Sequence, residues 1–381
     1  MNVSGTIIDL LYGILAVAFA GLLAFTLTPP VRVLAHKLKA IDIPEDDRRM
    51  HKKPIPRMGG LAIFSAFFVT VFIFCPVTKE LLGVLLGALI IVILGIFDDI
   101  YRLNAWIKLI VQIFSACIPV ALGVRIGFIN FFGKYIPFDD TVSFIVTVFW
   151  IVAVTNAVNL IDGLDGLACG VSTISAFSIM VLVLLQLNFS VALVVAILAG
   201  SCLGFLPYNR NPAVIFMGDT GALFLGYTLS SVSVLGLFKV NAFVSFWIPF
   251  LVFALPLADT VTATIRRLIH KQSIFSPDRG HFHHKLIDIG FTQKQAVAIL
   301  YSVSIMFSIS AITFSEEKVL ESLLIIIVSF VVGFLNYKIL LSDAKTRNQT
   351  GLRLKKYMQG HDTETSETTN ESEIENPKSE K

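Results

Sequence analysis

The chain is built of long runs without charge, each closed by a short polar stretch. The runs are about 16–21 residues long, enough for a helix to cross a hydrocarbon core of about 30 Å. They are centred near residues 18, 68, 89, 114, 150, 177, 198, 227, 250, 305 and 330, a pattern that predicts about eleven transmembrane helices. Leu167 to Asn209 carries no charge at all, and the polar break QLNFS at 186–190 divides it into two spans. A closed barrel would instead show alternating segments of about ten residues, which the sequence lacks. The apolar stretch Leu10 to Pro30 is too long for a signal-peptide core and has neither a basic leader nor an A-x-A site, so it is expected to be retained as a span. Residues 125–138, RIGFINFFGKYIPF, alternate weakly around Gly133 and predict a small hairpin outside the membrane. From Asp343 the chain is polar and ends ETSETTNESEIENPKSEK, which predicts a disordered tail. The organisation expected is therefore an all-α, polytopic membrane domain over 1–342 and a cytoplasmic tail over 343–381.

Composition agrees with this pattern. The chain is 55% hydrophobic and 15% charged, with a mean hydropathy of +0.79; a soluble domain is nearer a quarter charged. Cys75, Cys117, Cys169 and Cys202 all lie inside apolar runs without C-x-x-C spacing and read as packing residues. The net charge of +3 says little, but its distribution says more. One set of connecting segments (31–57, 98–108, 161–166, 208–219, 260–295 and the tail) holds all the lysines and arginines except Lys79, Arg125, Lys134, Lys239, Lys318 and, just before the tail, Lys338. Positive residues stay on the cytoplasmic side, so the N-terminus is expected outside and the C-terminus in the cytoplasm.

The unusual polar clusters fall on that same side. GIFDDIYR places Asp98 and Asp99 at the inner end of the third span. NAVNLIDGLDGL places Asn156, Asn159, Asp162 and Asp165 at the inner end of the fifth. YNRNPAVIFMGDTGALFLG places Asn209 and Asp219 at the entrance to the eighth, and SPDRGHFHHKL places Arg279, His281, His283 and His284 in the longest inner loop. Acids at membrane depth cost at least a few kcal/mol and need a reason. Converging carboxylates are tolerable with a cation or protons between them. Oxygen-only ligands favour a hard ion such as Mg²⁺, which takes one or two carboxylates plus substrate phosphates. Gly163, Gly166, Gly218 and Gly221 let a backbone or phosphate approach closely. Asp219 opens the eighth span, whose N-terminus favours anions, so a cation on Asp219 could hold a diphosphate there. His51, Lys52, Lys53 and Arg57 in the basic loop suit phosphate oxygens. No twelve-residue calcium loop surrounds D-G-x-D-G, and no cysteine accompanies the histidines as a zinc site would ask. An ion-coupled transporter is the rival from another class; its acids would lie near mid-span, within weak repeat symmetry, and here they lie at span ends on one side.

These residues resemble the polyprenyl-phosphate N-acetylhexosamine-1-phosphate transferase family. The likeness runs from about Ile41 to Leu286 and rests on the Asp98-Asp99 pair, N-x-x-N-x-x-D-G-x-D-G at 156–166 and N-x-x-P-A-x-x-F-M-G-D-T-G at 209–221. The family's eleven-span, N-out architecture agrees with the span count. It implies transfer of a sugar 1-phosphate from a UDP-N-acetylhexosamine to undecaprenyl phosphate with release of UMP, using Mg²⁺, with Mn²⁺ as a substitute. Carried over by motif, Asp219 is the metal ligand, while Asp98, Asp99, Asp162, Asp165, His283 and His284 form the catalytic group. His51, Lys52, Arg57, Asn156, Asn159, Asn209, Arg279 and His281 bind substrate. The loop sequence D-R-G-H-F-H-H-K-L departs from the P-x-H-H-H-x-E of the branch that takes UDP-N-acetylmuramoyl-pentapeptide, which leaves that branch as the alternative. It is similar to the branch that moves N-acetylglucosamine 1-phosphate and initiates teichoic acid linkage units, O-antigen or related wall polymers. The resemblance puts the site on the inner face of the cytoplasmic membrane, with the bilayer as partner, a homodimer admitted and nucleic acid excluded.

Overall fold

The computed structural model describes residues 3–43, 54–131, 134–237, 247–273, 280–329 and 331. They belong almost wholly to one compact unit, Met1–Ile327. His51, Lys52, Lys53, Arg279 and the tail 343–381 lie outside the described residues.

Helices account for nearly all of the unit. In chain order they are α1 (Val3–Lys37), α2 (Gly60–Phe74), α3 (Lys79–Tyr101), α4 (Ala105–Ala121), α5 (Asp140–Leu160), α6 (Leu167–Leu185), α7 (Phe189–Asn209), α8 (Gly218–Gly236), α9 (Trp247–Val252), α10 (Ala254–Ile269), α11 (Phe282–Asp288), α12 (Gln293–Ser315) and α13 (Val319–Ser329). Two antiparallel pairs complete the described residues: β1 (Ile41–Asp42) with β2 (Ile55–Pro56), and β3 (Phe128–Phe131) with β4 (Lys134–Pro137). The second pair is the hairpin expected over 125–138.

Six of these helices are long and apolar enough to cross a membrane. They leave large hydrophobic side chains uncovered, such as Leu10, Leu11, Ile14, Leu15 and Leu22 on α1 and Phe149 on α5. Exposed apolar area on that scale calls for a lipid solvent. α8 has the opposite character. Every residue except Asp219 and Leu235 is buried, with α2, α3, α5, α6 and α7 packed around it. A helix surrounded by protein need not be apolar to satisfy lipid, so α8 tolerates Thr228, Ser230, Ser231 and Ser233.

The run expected as one span near residue 250 is broken. Phe253 separates α9 from α10. Pro256 has no N–H to give the carbonyl of Val252 four residues earlier, and the Ser175 hydroxyl of α6 donates to that carbonyl instead, at 3.2 Å. α10 then buries Leu255, Pro256, Asp259, Ala263 and Arg267 on one face and exposes Val261, Ile265, Leu268 and Ile269 on the other.

Candidate active site

The site forms where α3 ends and α8 begins. No side chain intervenes between α2, α3 and α8 at this point. A Cβ on Gly60 would lie 2.1 Å from the Gly221 Cα, and one on Gly95 would lie 2.4 Å from the Thr220 Cα. Close approach of three backbones brings the last turn of α3 onto the first turn of α8. Asp99 then supplies the cap that α8 lacks in its own sequence. The amides of Asp219 (2.9 Å) and Thr220 (3.1 Å) and the Thr220 hydroxyl (2.7 Å) all donate to its carboxylate. Gly218 is required here, because its φ is +73° and a Cβ would lie 2.4 Å from Asp99 Oδ2. The anion that these amides hold is thus internal, the Asp99 carboxylate.

Asp98, one residue away and about 100° around the helix, faces α4 instead. Its Oδ1 accepts from the Leu103 amide at 2.7 Å, and its Oδ2 accepts from Lys108 Nζ at 2.6 Å. The same ammonium donates to Asp219 Oδ2 at 2.9 Å, so one cation bridges the two acids. Asn159 Nδ2 reaches Asp219 Oδ1 at 3.2 Å. Arg57, just before α2, lies 3.3 Å from Asp99 and 3.8 Å from Asp219. Burial works against its charge, but Asp99 and Asp219 more than offset this and hold its pKa above the usual arginine value. Asp162, in the loop after α5, is pushed up to about 7 by burial and then by the nearby Asp219.

The structure thus brings together the expected Asp98, Asp99, Asn159, Asp162, Asp219 and Arg57, and adds Lys108, which no sequence motif marked. Its signal was slight, a lone cation in the first turn of an apolar helix. Asn156 stands back from the acids and donates to Gln112 Oε1 at 2.6 Å. Among the described residues no three His, Cys, Asp or Glu side chains make a ready metal cage. The donor set still suits a hard divalent ion that completes its shell with water and phosphate: Asp219 and Asp98 are neighbouring oxygen donors, and the Asp219 side chain remains 20% exposed.

Beside this cluster opens a cleft of about 670 Å³, lined by Arg57, Asp162, Asp165, Asn209 and His284 among the expected residues and by Arg32, Asp42, Asn211, Phe216 and Gln293 among those missed. Asp165 has a positioning task in its wall, since its Oδ2 accepts from Asn211 Nδ2 (2.9 Å) and from the Ala213 amide (3.1 Å). Asn211 also donates to Gln293 of α12 at 2.5 Å, and buried Asn209 donates to the Ile215 carbonyl at 3.1 Å. These bonds shape residues 210–217, whose end is laced to β2 and the start of α2. Phe216 N donates to Pro56 O, Gly59 N to Phe216 O and Gly60 N to Met217 O.

The histidines divide their positions. His281 stands at the residue before α11 and is bonded through Nδ1 to Asp259 Oδ2 at 2.8 Å. His283 is 2% exposed and lies so close to Gly163 that a Cβ there would stand 2.1 Å from its Nε2. Neither of its ring nitrogens has a hydrogen-bond partner among the described residues. Burial, then the neighbouring His284, lowers its pKa to about 4, so it is a neutral imidazole at pH 7. His284 lines the cleft. Asp259 was also missed; in sequence it is a single acid within ALPLADTVTATI.

A family model described as Glycosyl transferase family 4 matches residues 81–237, the stretch from α3 to α8 that carries the acids. The chain is 40% identical over 327 residues to a probable undecaprenyl-phosphate N-acetylglucosaminyl 1-phosphate transferase of Bacillus subtilis (strain 168), covering 82% of this chain and 90% of that protein. It is 35% identical to a decaprenyl-phosphate N-acetylglucosaminephosphotransferase of Mycobacterium tuberculosis (strain ATCC 25618 / H37Rv), over 74% of this chain and 77% of that one. A phospho-N-acetylmuramoyl-pentapeptide-transferase of Caldicellulosiruptor bescii is 30% identical over 80% of this chain and 98% of its own length.

Proposed function

The chain belongs to glycosyl transferase family 4, and from that premise we propose that it transfers N-acetylglucosamine 1-phosphate from UDP-N-acetylglucosamine to undecaprenyl phosphate, releasing UMP. The observation that carries this reading is the Asp98–Lys108–Asp219 chain beside the cleft. Two anionic phosphates must meet there, and the geometry offers two cations already oriented by carboxylates. The relatives of higher identity bear N-acetylglucosamine names, which supports this sugar, as does the H-x-H-H loop.

In the reaction an oxygen of the lipid phosphate attacks the phosphorus that bears the sugar. The new P–O bond forms as the bond to the oxygen shared with UMP breaks, and UMP leaves with the electron pair. The attacking phosphate monoester has a second pKa of about 6 and arrives mostly dianionic, so charge screening matters more than a strong base. Lys108 and Arg57 meet phosphate oxygens, and Asp98 and Asp219 hold Lys108 in place. Asp99, with both oxygens engaged by α8, serves to fix Asp219, which favours Asp98 as the acid beside the acceptor. Phe216 and the amides of the cleft wall suit the nucleotide, and His283 works as a neutral hydrogen-bonding group. Mg²⁺ or Mn²⁺, held through Asp219 with Asp98 beside it, would screen the phosphates and make the phosphorus more electrophilic. Eleven spans with the N-terminus outside, the site on the inner face and a role at the first membrane step of a wall polymer (a teichoic acid linkage unit, O-antigen or a related product) complete the reading.

A donor panel tests it. Purified protein in detergent with undecaprenyl phosphate should move label from UDP-N-acetylglucosamine into an organic-extractable lipid with equimolar UMP, should lose this on chelation and should leave UDP-N-acetylmuramoyl-pentapeptide untouched. Transfer from the pentapeptide donor alone would overturn the choice of sugar. Undiminished turnover in excess EDTA would overturn the metal assignment.

A further inference from the structure

Outside the acid cluster, Asp259 of α10 is the one buried carboxylate among the described residues, at 2% exposure. An acid at that depth needs partners, and both of its oxygens find them at the start of α11. Oδ2 lies 2.8 Å from His281 Nδ1, and Oδ1 accepts the Phe282 amide at 2.8 Å. α11 has seven residues, too few to hold a helix by propagation, so its place is set by what it is tied to. An acid acceptor at Nδ1 fixes the proton on that nitrogen and leaves the opposite one, Nε2, as the acceptor of the neutral ring. The His281 ring stacks on His283 with centroids 5.7 Å apart and planes within 9°, and His283 leans on His284 at 4.3 Å. His283 in turn rests on Gly163, in the loop that carries Asp162.

We propose that Asp259 is a positioning residue of the transferase: it sets the tautomer of His281 and docks α11, so that the histidines are held against the loop at Gly163. It touches no substrate. Its effect passes through His281 to the donor side of the site, so the kinetic part of its test rests on the proposed reaction, and the spectroscopic part does not.

The test uses the full chain in detergent with Asp259→Asn, Asp259→Glu, His281→Ala and the double variant Asp259→Asn/His281→Ala. An amide in place of a carboxylate keeps the shape and offers the ring the wrong proton. Asp259→Asn should lower kcat/KM for UDP-N-acetylglucosamine roughly 10- to 100-fold, with KM for undecaprenyl phosphate unchanged. Asp259→Glu should recover part of the loss, and the double variant should be no slower than His281→Ala alone. The ¹⁵N signals of His281 should report protonated Nδ1 in the parent and protonated Nε2 in Asp259→Asn. Wild-type kinetics in Asp259→Asn, losses that simply multiply in the double variant, or an unchanged His281 spectrum would overturn the proposal. A parent protein that transfers nothing from UDP-N-acetylglucosamine would count against the reaction, and the tautomer would still decide the role of Asp259. If Asp259→Asn does not fold, the parent spectrum decides it: protonated Nε2 on His281 refutes the dyad.

Discussion

Replacing Asp99 by asparagine exchanges one carboxylate oxygen for an amide nitrogen where α3 meets α8. The native carboxylate accepts three hydrogen bonds from the first turn of α8 and faces Arg57. The amide group can keep the bond to one oxygen, but its nitrogen is a donor aimed at donors. Hydrogen bonds to a charged acceptor contribute about 1.5–3 kcal/mol each, and an anion at a helix N-terminus adds up to about 2 kcal/mol when partly buried. With one bond kept, others weakened and Arg57 left facing a neutral group, Asp99→Asn should destabilise the fold by roughly 3 kcal/mol. Asp99→Ala should lose somewhat more, because three donors are then left in a dry site. The assay is reversible unfolding in mixed micelles, followed by tryptophan emission, beside turnover on the same preparation. Both stability and turnover should fall, since Asp219 rides on the turn that Asp99 caps. An Asp99→Asn protein that unfolds at the wild-type midpoint yet is inactive would refute the cap and return Asp99 to a purely chemical role.

Asp219→Asn should lose turnover with a smaller fall in stability than Asp99→Asn, because its side chain caps no helix and the change weakens only its contacts with Lys108, Asn159 and Arg57; a normal rate would contradict its assignment as metal ligand. Lys108→Met should lower kcat at least about 100-fold through the loss of a cation between two acids, read as turnover at saturating substrates; a loss confined to KM would mean that Lys108 only binds. The His283 pKa of about 4 lies below the usual histidine value of 6.5, so the unfolded chain binds the extra proton first. Stability from this residue is full above pH 6.5 and is lost as pH falls towards 4, to the order of 3 kcal/mol. His283→Gln should flatten that part of the stability–pH curve, and an unchanged slope would show that His283 is not buried as a neutral ring.

The long helices were legible because an uncharged run of that length has few alternatives to a helix, and six of those described are long and apolar enough to cross a membrane. The division between Asp98 and Asp99 was not. Adjacent helical residues point about 100° apart, and only the placement of α4 and α8 decides which faces a lysine and which faces a helix end. Lys108, Asp259 and Gln293 escaped for a related reason. Lys108 and Asp259 are single polar residues in an apolar context and Gln293 is one of a polar run at a helix start; the partner of each stands elsewhere in the sequence. The break at Phe253 was written in Pro256, but hydropathy averages over such a residue and sees one continuous span. Asp165 looked chemical because it shares a motif with Asp162; its bonds to Asn211 and Ala213 depend on a loop nearly fifty residues further on.

The contact of Gly60 with Gly221 has a consequence for how such a centre can vary. A single methyl group at residue 60 would arrive 2.1 Å from the Gly221 Cα, and ordinary contact would push the helices apart by more than 1 Å. That displacement would carry Asp219 away from Asp98 and Lys108 without altering any charged group, and misplacement on this scale lowers rates by about 100-fold. The electrostatics can therefore be tuned from the cleft side, by residues that water reaches, while the rear of the centre behaves as an anvil whose dimensions admit only hydrogen.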